Sequence, residues 1–206
     1  YTVLDALSDV YRCDQTLVDT AFVRHGSGLY VLSLPEDMLG APALDGAMLG
    51  RLIGVLRGLF SDIVMVVDGH AGSAVLADVL PLADRLIWLA DQSIVRSRHS
   101  KHLLRALRRD GVALPQAGLL VDAYQKRLGL EPDHLAELLE LPLIGSLGGD
   151  PAARIQAMNT GDSMFRLFPK DGFALDITAL AQTLRAGGDS LTAAKPGGGL
   201  FTRWMK

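Results

Sequence analysis

Cysteine is almost absent from this 206-residue sequence, Cys13 being the only one. An internal disulfide and any multi-cysteine metal site are thereby excluded, which suits a reducing cytoplasm. Aromatic residues are also scarce, at 6%, although 49% of the chain is hydrophobic. Leu, Val, Ala and Ile must therefore fill the core, a composition that favours layered α/β packing over an aromatic-rich sandwich. No apolar run approaches the roughly 18 residues that a membrane span needs, and no signal peptide is visible. An excess of basic charge is missing too. The formal net charge is −3, so any contact with a polyanion needs a local patch. These absences predict a soluble intracellular chain, long enough for one substantial α/β domain. The sequence opens at Tyr1 without a methionine, in helix-like text (YTVLDALSDV), as expected of a fragment.

What is present is an alternation. Apolar runs bounded by turn residues predict five strands, at 29–34, 63–68, 85–90, 119–122 and 143–147. Each is short and apolar on both faces, the pattern of parallel strands covered by helices. Between and after them, helical periodicity spans 44–60, 97–109, 132–141, 151–159 and 176–185. Pro132 and Pro151 stand at first-turn positions, and Asp150 is placed to cap the second of these helices. The fold class predicted is α/β, a doubly wound, mostly parallel sheet with helices on both faces. Residues 1–186 form the expected α/β domain, and 187–206 a Gly-rich linker and tail.

Ligands of such sheets sit beyond the carboxyl ends of the strands. Asp68, Asp91, Asp122 and Asp150 each fall at or just after such an end, so four carboxylates are expected along one edge. Taken singly, an Asp at such a place is more often a helix cap or turn residue. Asp68, closing the run IVMVVD, is equally well read as a metal-holding carboxylate and as the cap of a helix near Ser73. The helix at 97–109 carries Arg98, Lys101, His102, Arg105, Arg108 and Arg109 on one face. That face suits DNA, acidic lipid or an acidic partner, or is a solvated surface paired with the acidic helix at 131–140. The overall acidity argues for the last readings and against nucleic acid. Glycines at 46, 50, 54 and 58 line one helix at i+4 spacing. Either another helix approaches closely there, or the position has drifted to small residues. The segment IGSLGGD lacks the first glycine of a hydrolase elbow, Ile144 taking its place, and the histidines offer no matching triad.

Further segments carry a resemblance when taken in order. LDALSDVYRCDQTLVDTAFVRHGSGLYVLSLPED, DIVMVVDGHAGS, LADRLIWLADQSIVRSRHSKHLLRALRRDG, LLVDAYQKRLGLEPDHLAELLELPLIGSLGGDP, AMNTGDSM and FPKDG follow one another from about residue 4 to 184. Their order and spacing resemble the MinD/ParA family of deviant-Walker ATPases, and within it the CpaE/TadZ branch that helps assemble Flp (tad) pili. The resemblance implies ATP and Mg²⁺ as cofactors. Asp68 would then hold Mg²⁺ through water, Gly72 would be the switch glycine whose N–H senses the γ-phosphate, and Asp122 and Asp150 would lie near the base. It also implies a homodimer in the cytoplasm, recruited to the inner membrane or cell pole, with other pilus-assembly proteins as partners. The terminal LFTRWMK would offer peripheral membrane contact, although seven residues are too few to anchor by themselves.

Three departures stand against that pattern. No G-x-x-x-x-G-K-[ST] phosphate loop occurs in the chain, and the resemblance places it upstream of Tyr1. Without that loop a polyphosphate has no backbone cradle and no lysine, so ATPase activity is not expected of these residues alone. Asp122 stands where family members often read adenine with an Asn, and an ionised Asp only accepts hydrogen bonds. The family's proline two residues before the acid at Asp150 is also missing. The competing expectations are a non-catalytic α/β adaptor that has lost nucleotide binding, and a ParA-like partitioning protein that touches DNA through the helix at 97–109.

Overall fold

The computed structural model describes residues 1–35, 45–68 and 73–186. They belong to two compact units, Tyr1–Ala83 and Asp84–Lys206.

In the first unit the caps written in the sequence set the helices. Helix α1 (Val3–Ser8) begins at Thr2, and Asp5 reaches back to accept from the Thr2 N–H at 2.7 Å. The Thr2 hydroxyl and N–H together hold the Asp5 carboxyl below its ordinary range. Helix α2 (Gln15–Ala21) starts at Asp14, whose carboxylate accepts the Leu17 N–H at 2.8 Å. Helix α3 (Gly46–Leu59) starts in the same way at Asp45. Together these helices bury Ala6, Val18, Leu52 and Leu56, with Tyr1 stacked on Phe22 at 5.6 Å. Burial, and then Asp9, push the Tyr1 phenol up to about 12. Helix α4 (Ser73–Val79) follows.

Two expectations fail in this unit. Of the strand expected at 29–34, β2 (Tyr30–Val31) pairs antiparallel with β1 (Val23–Arg24), and Ser33 makes a single parallel bridge with Thr2, so the run does not become a strand of a parallel sheet. The run at 63–68 joins no ladder among the described residues, and Val64 and Val66 are 88% and 92% exposed. An apolar run becomes a buried strand only when another strand and a covering layer meet it, and neither requirement is local. The glycine stripe of α3 is half explained. A Cβ on Gly46 would run into the Asp78 side chain of α4, and one on Gly50 would touch Leu82 at 3.6 Å. Gly54 and Gly58 face open space.

The second unit holds the parallel sheet. Strands β3 (Leu86–Ala90), β4 (Ala117–Val121) and β5 (Leu143–Ser146) pair in the order β3-β4-β5, all parallel. Helix α5 (Ile94–Arg109) crosses from β3 to β4, and α6 (Pro132–Leu139) from β4 to β5. Leu104 of α5 with Leu135 and Leu139 of α6 covers Ala90, Leu119 and Val121 on one face of the sheet. After β5 come α7 (Pro151–Thr160), α8 (Met164–Leu167) and α9 (Gly172–Arg185). Ala153, Ala157 and Met164 pack there against Phe168 and Phe173. β4 is buried from Gly118 to Val121, as its unbroken apolar text requires of a central strand. The chain is thus α/β, with a parallel three-stranded sheet flanked by helices. Among the described residues no helix is long and apolar enough to cross a membrane.

Candidate functional site

Three of the four expected carboxylates stand at the carboxyl end of the second unit's sheet. Asp91 directly follows β3 and Asp122 directly follows β4, while Asp150 lies on the loop from β5 to α7. Their chemistry differs. Asp91 accepts the Ser93 N–H at 3.0 Å and Arg96 Nη1 at 2.5 Å, so it serves the first turn of α5. Asp150 caps α7, accepting the Ala152 N–H at 2.9 Å. The cap is the ordinary use of an Asp before a first-turn proline.

Asp122 is set apart. Its backbone N–H continues the ladder by donating to the Ala90 carbonyl at 2.7 Å, which fixes the residue at the sheet edge. Its carboxylate accepts from both terminal nitrogens of Arg154, Nη1 to Oδ1 at 2.8 Å and Nη2 to Oδ2 at 3.1 Å. The Arg154 guanidinium lies 4.4 Å over the Phe173 ring. Both charged side chains are about one-quarter exposed, at 28% and 25%.

A cavity of about 250 Å³ opens beside this pair, lined by Ala123, Tyr124, Gly149, Arg154, Ile155 and Met158 among others. Its walls are set by the two loops that leave β4 and β5 and by α7. Ala123 sits at φ +50°, in the left-handed region. The next residues are tied down, the Tyr124 N–H to the Leu147 carbonyl at 3.0 Å and the Gln125 N–H to Gln92 Oε1 at 2.7 Å. The Tyr124 hydroxyl donates to Glu131 at 2.7 Å, a bond that raises its pKa. On the β5 side, Gly149 at φ +96° lets the backbone pass the Phe173 amide.

That second loop is not a phosphate cradle. The Gly148 N–H donates to Asp176 at 2.8 Å and the Asp150 N–H to Asp171 at 3.0 Å, so carboxylates already occupy the donors an anion would need. With Arg154 as its one charged lining residue and mostly apolar walls, the cavity fits a flat ring better than a phosphate.

Asp68, in the first unit, is exposed at the end of the unladdered run. Among the described residues no three His, Cys, Asp or Glu side chains gather to hold a metal. A single carboxylate such as Asp68 still fits Mg²⁺ used with phosphate oxygens, because that ion takes one or two carboxylates and keeps several waters. Gly72 and the tail at 187–206 lie outside the described residues.

The basic face of α5 divides. Arg108 bonds Glu140 at 3.0 Å and the Glu140 carbonyl at 2.9 Å, closing the carboxyl end of α6. Arg109 bonds Asp110 at 2.9 Å. Arg108 therefore serves an internal contact, whereas Arg109 pairs with its chain neighbour and stays 77% exposed. Arg98 and Arg105 are exposed and Lys101 is half-buried. Arg154 and Phe173 were missed from the sequence. The available signal was that Arg154 is the only charged residue in the otherwise uncharged text of α7 (PAARIQAMNT).

No family model matches the sequence, and no curated protein sequence does either. Solved structures do. A ParA family ATPase from Chlorobium tepidum TLS superposes with a TM-score of 0.75 at 17% identity, covering 88% of this chain and 75% of that one. The fold is that of the ParA and MinD ATPases. The MinD of a MinC:MinD cell division complex from Aquifex aeolicus gives 0.70 at 16% identity, over 91% of this chain and 74% of that one. The cell division ATPase MinD of Pyrococcus furiosus gives 0.65 at 18%, over 90% and 76%. Identities this low carry the fold alone.

Proposed function

We propose that this chain is a nucleotide-binding assembly factor of the MinD/ParA type, resembling CpaE/TadZ proteins of Flp pili and acting through nucleotide-linked dimerisation. The observation that carries the reading is the ring-sized cavity beside Asp122, at the carboxyl ends of β4 and β5 in a fold shared with ATPases. Ligands of open parallel sheets bind at that edge. In this reading 1–186 works as one α/β domain and 187–206 as its tail. Asp68 holds Mg²⁺ through water, Gly72 senses the terminal phosphate, and Asp122 and Asp150 border the base. ATP with Mg²⁺ is the ligand the resemblance implies, and that pair supplies the charge that two copies clamp between them. The protein acts in the cytoplasm and is recruited to the inner membrane or pole by other pilus components. The face of Arg98, Lys101 and Arg105 then meets an acidic partner protein.

Sedimentation with and without Mg·ATP tests this. The expected result is a monomer that becomes a dimer with nucleotide, and an Asp68→Ala variant that stays monomeric. The second reading, an adaptor without nucleotide, is favoured by one observation: Arg154 already occupies the Asp122 carboxylate. On that reading association is the same with and without nucleotide, and Asp68→Ala leaves it untouched.

A further inference from the structure

We infer that the Arg154 guanidinium is the plane on which the base stacks in the cavity beside β4 and β5, and that Asp122 acts through it as a positioning residue. The inference rests on the nucleotide reading above and names the wall that takes the ring. Two contacts hold the guanidinium. Its Nη1 and Nη2 donate to the two oxygens of Asp122 at 2.8 and 3.1 Å, which commits that edge of the fork. The Phe173 ring backs the group, with the guanidinium carbon 4.4 Å from the ring centre. Arg154 lines the cavity whereas Asp122 and Phe173 do not, and its side chain stays 28% exposed. The surface of the guanidinium left open is therefore the one turned to the cavity. Asp122 is in turn fixed to the sheet edge, its N–H held by the Ala90 carbonyl at 2.7 Å, so the plane is set before a ligand arrives.

A guanidinium is flat, delocalised and weakly hydrated, and it stacks on π-faces as an ammonium does not. Held from two sides, Arg154 gives up little side-chain freedom when a ring lies on it, and that loss is what usually weakens a contact made by a long side chain. Asp122 balances its charge, so the contact asks for a flat, electron-rich ring and not for a phosphate. The pair that closes Asp122 to a base edge is thus what sets the stacking plane.

The neighbouring wall suits the same ligand. Ile155 and Met158 follow Arg154 on α7, line the same cavity and are 59% and 80% exposed. A purine lying on Arg154 covers that apolar surface as well. Loss of a stacking partner costs a base roughly tenfold in affinity or more.

The test is titration of the full chain with adenosine, which carries no phosphate, read by calorimetry and by the Arg154 Nε–H resonance. In the unaltered chain that resonance is expected to move upfield as adenosine binds, under the ring current of the base. Arg154→Lys keeps the charge and loses the plane, and should weaken adenosine binding roughly tenfold. Should that variant not fold, Phe173→Leu removes only the backing and should weaken binding severalfold, and the resonance of the unaltered chain decides without any variant. Adenosine that binds with the resonance unmoved, or that binds Arg154→Lys as tightly as the unaltered chain, overturns the inference and leaves a nucleotide site in place. If neither adenosine nor Mg·ATP binds up to millimolar concentration, the inference and the nucleotide reading fall together.

Discussion

Gly149 shows how much one residue without a side chain decides. It sits at φ +96°, and a Cβ there would come within 2.7 Å of the Phe173 amide nitrogen and crowd the Asp171 carboxylate. That carboxylate caps α9 and also accepts the Asp150 N–H. Gly149→Ala is therefore expected to lose about 2–4 kcal/mol, from left-handed strain and from displacing the cap. Urea denaturation measures it, and a loss below about 0.5 kcal/mol would mean that the loop absorbs the methyl group. Legibility at this scale was uneven. Asp14, Asp45 and Asp150 are caps whose partners lie two or three residues onward, and such bonds can be read along the chain. The contact between Asp122 and Arg154 spans 32 positions and could not be.

Among the elements, the run at 63–68 is where text and structure disagree most. Its residues have the composition of a core strand, yet Val64 and Val66 stand 88% and 92% exposed. Its uncharged stretch at 63–67 is short, aliphatic and β-prone, and such a stretch is an aggregation template when it is uncovered. Val66→Lys should therefore raise solubility and slow aggregation while changing stability by no more than about 0.5 kcal/mol. Light scattering against time, beside a thermal melt, reads both. A melt that collapses in this variant would show the run to be covered in solution. The strands β3, β4 and β5 were legible because each is bounded by turn residues and followed by a helix of its own period. The starts of α5 and α9 fall earlier than periodicity suggests, since Ser93 and Asp171 cap them ahead of the first apolar turn. Arg108 was expected on an outward basic face and instead closes α6, a role set by the packing of α5 against α6.

For the whole molecule the division at Ala83 carries a consequence. The sheet β3-β4-β5 and the clusters around Leu119 and Ala157 draw only on residues after Asp84. A piece spanning 84–186 is expected to fold by itself with a cooperative melt, near-ultraviolet circular dichroism being the readout. A broad, probe-dependent transition would count against it.

What the sequence determined by itself is the α/β class, the helices with their caps, and the parallel strands from β3 onward. Those features follow from apolar period, turn residues and capping side chains, all of them interactions over a few positions. Only the tertiary structure decided which apolar run is covered, which basic residues remain outward, and that Asp122 faces a guanidinium at the mouth of a cavity. Those outcomes depend on which distant segments meet, and the sequence does not write such meetings in any local period.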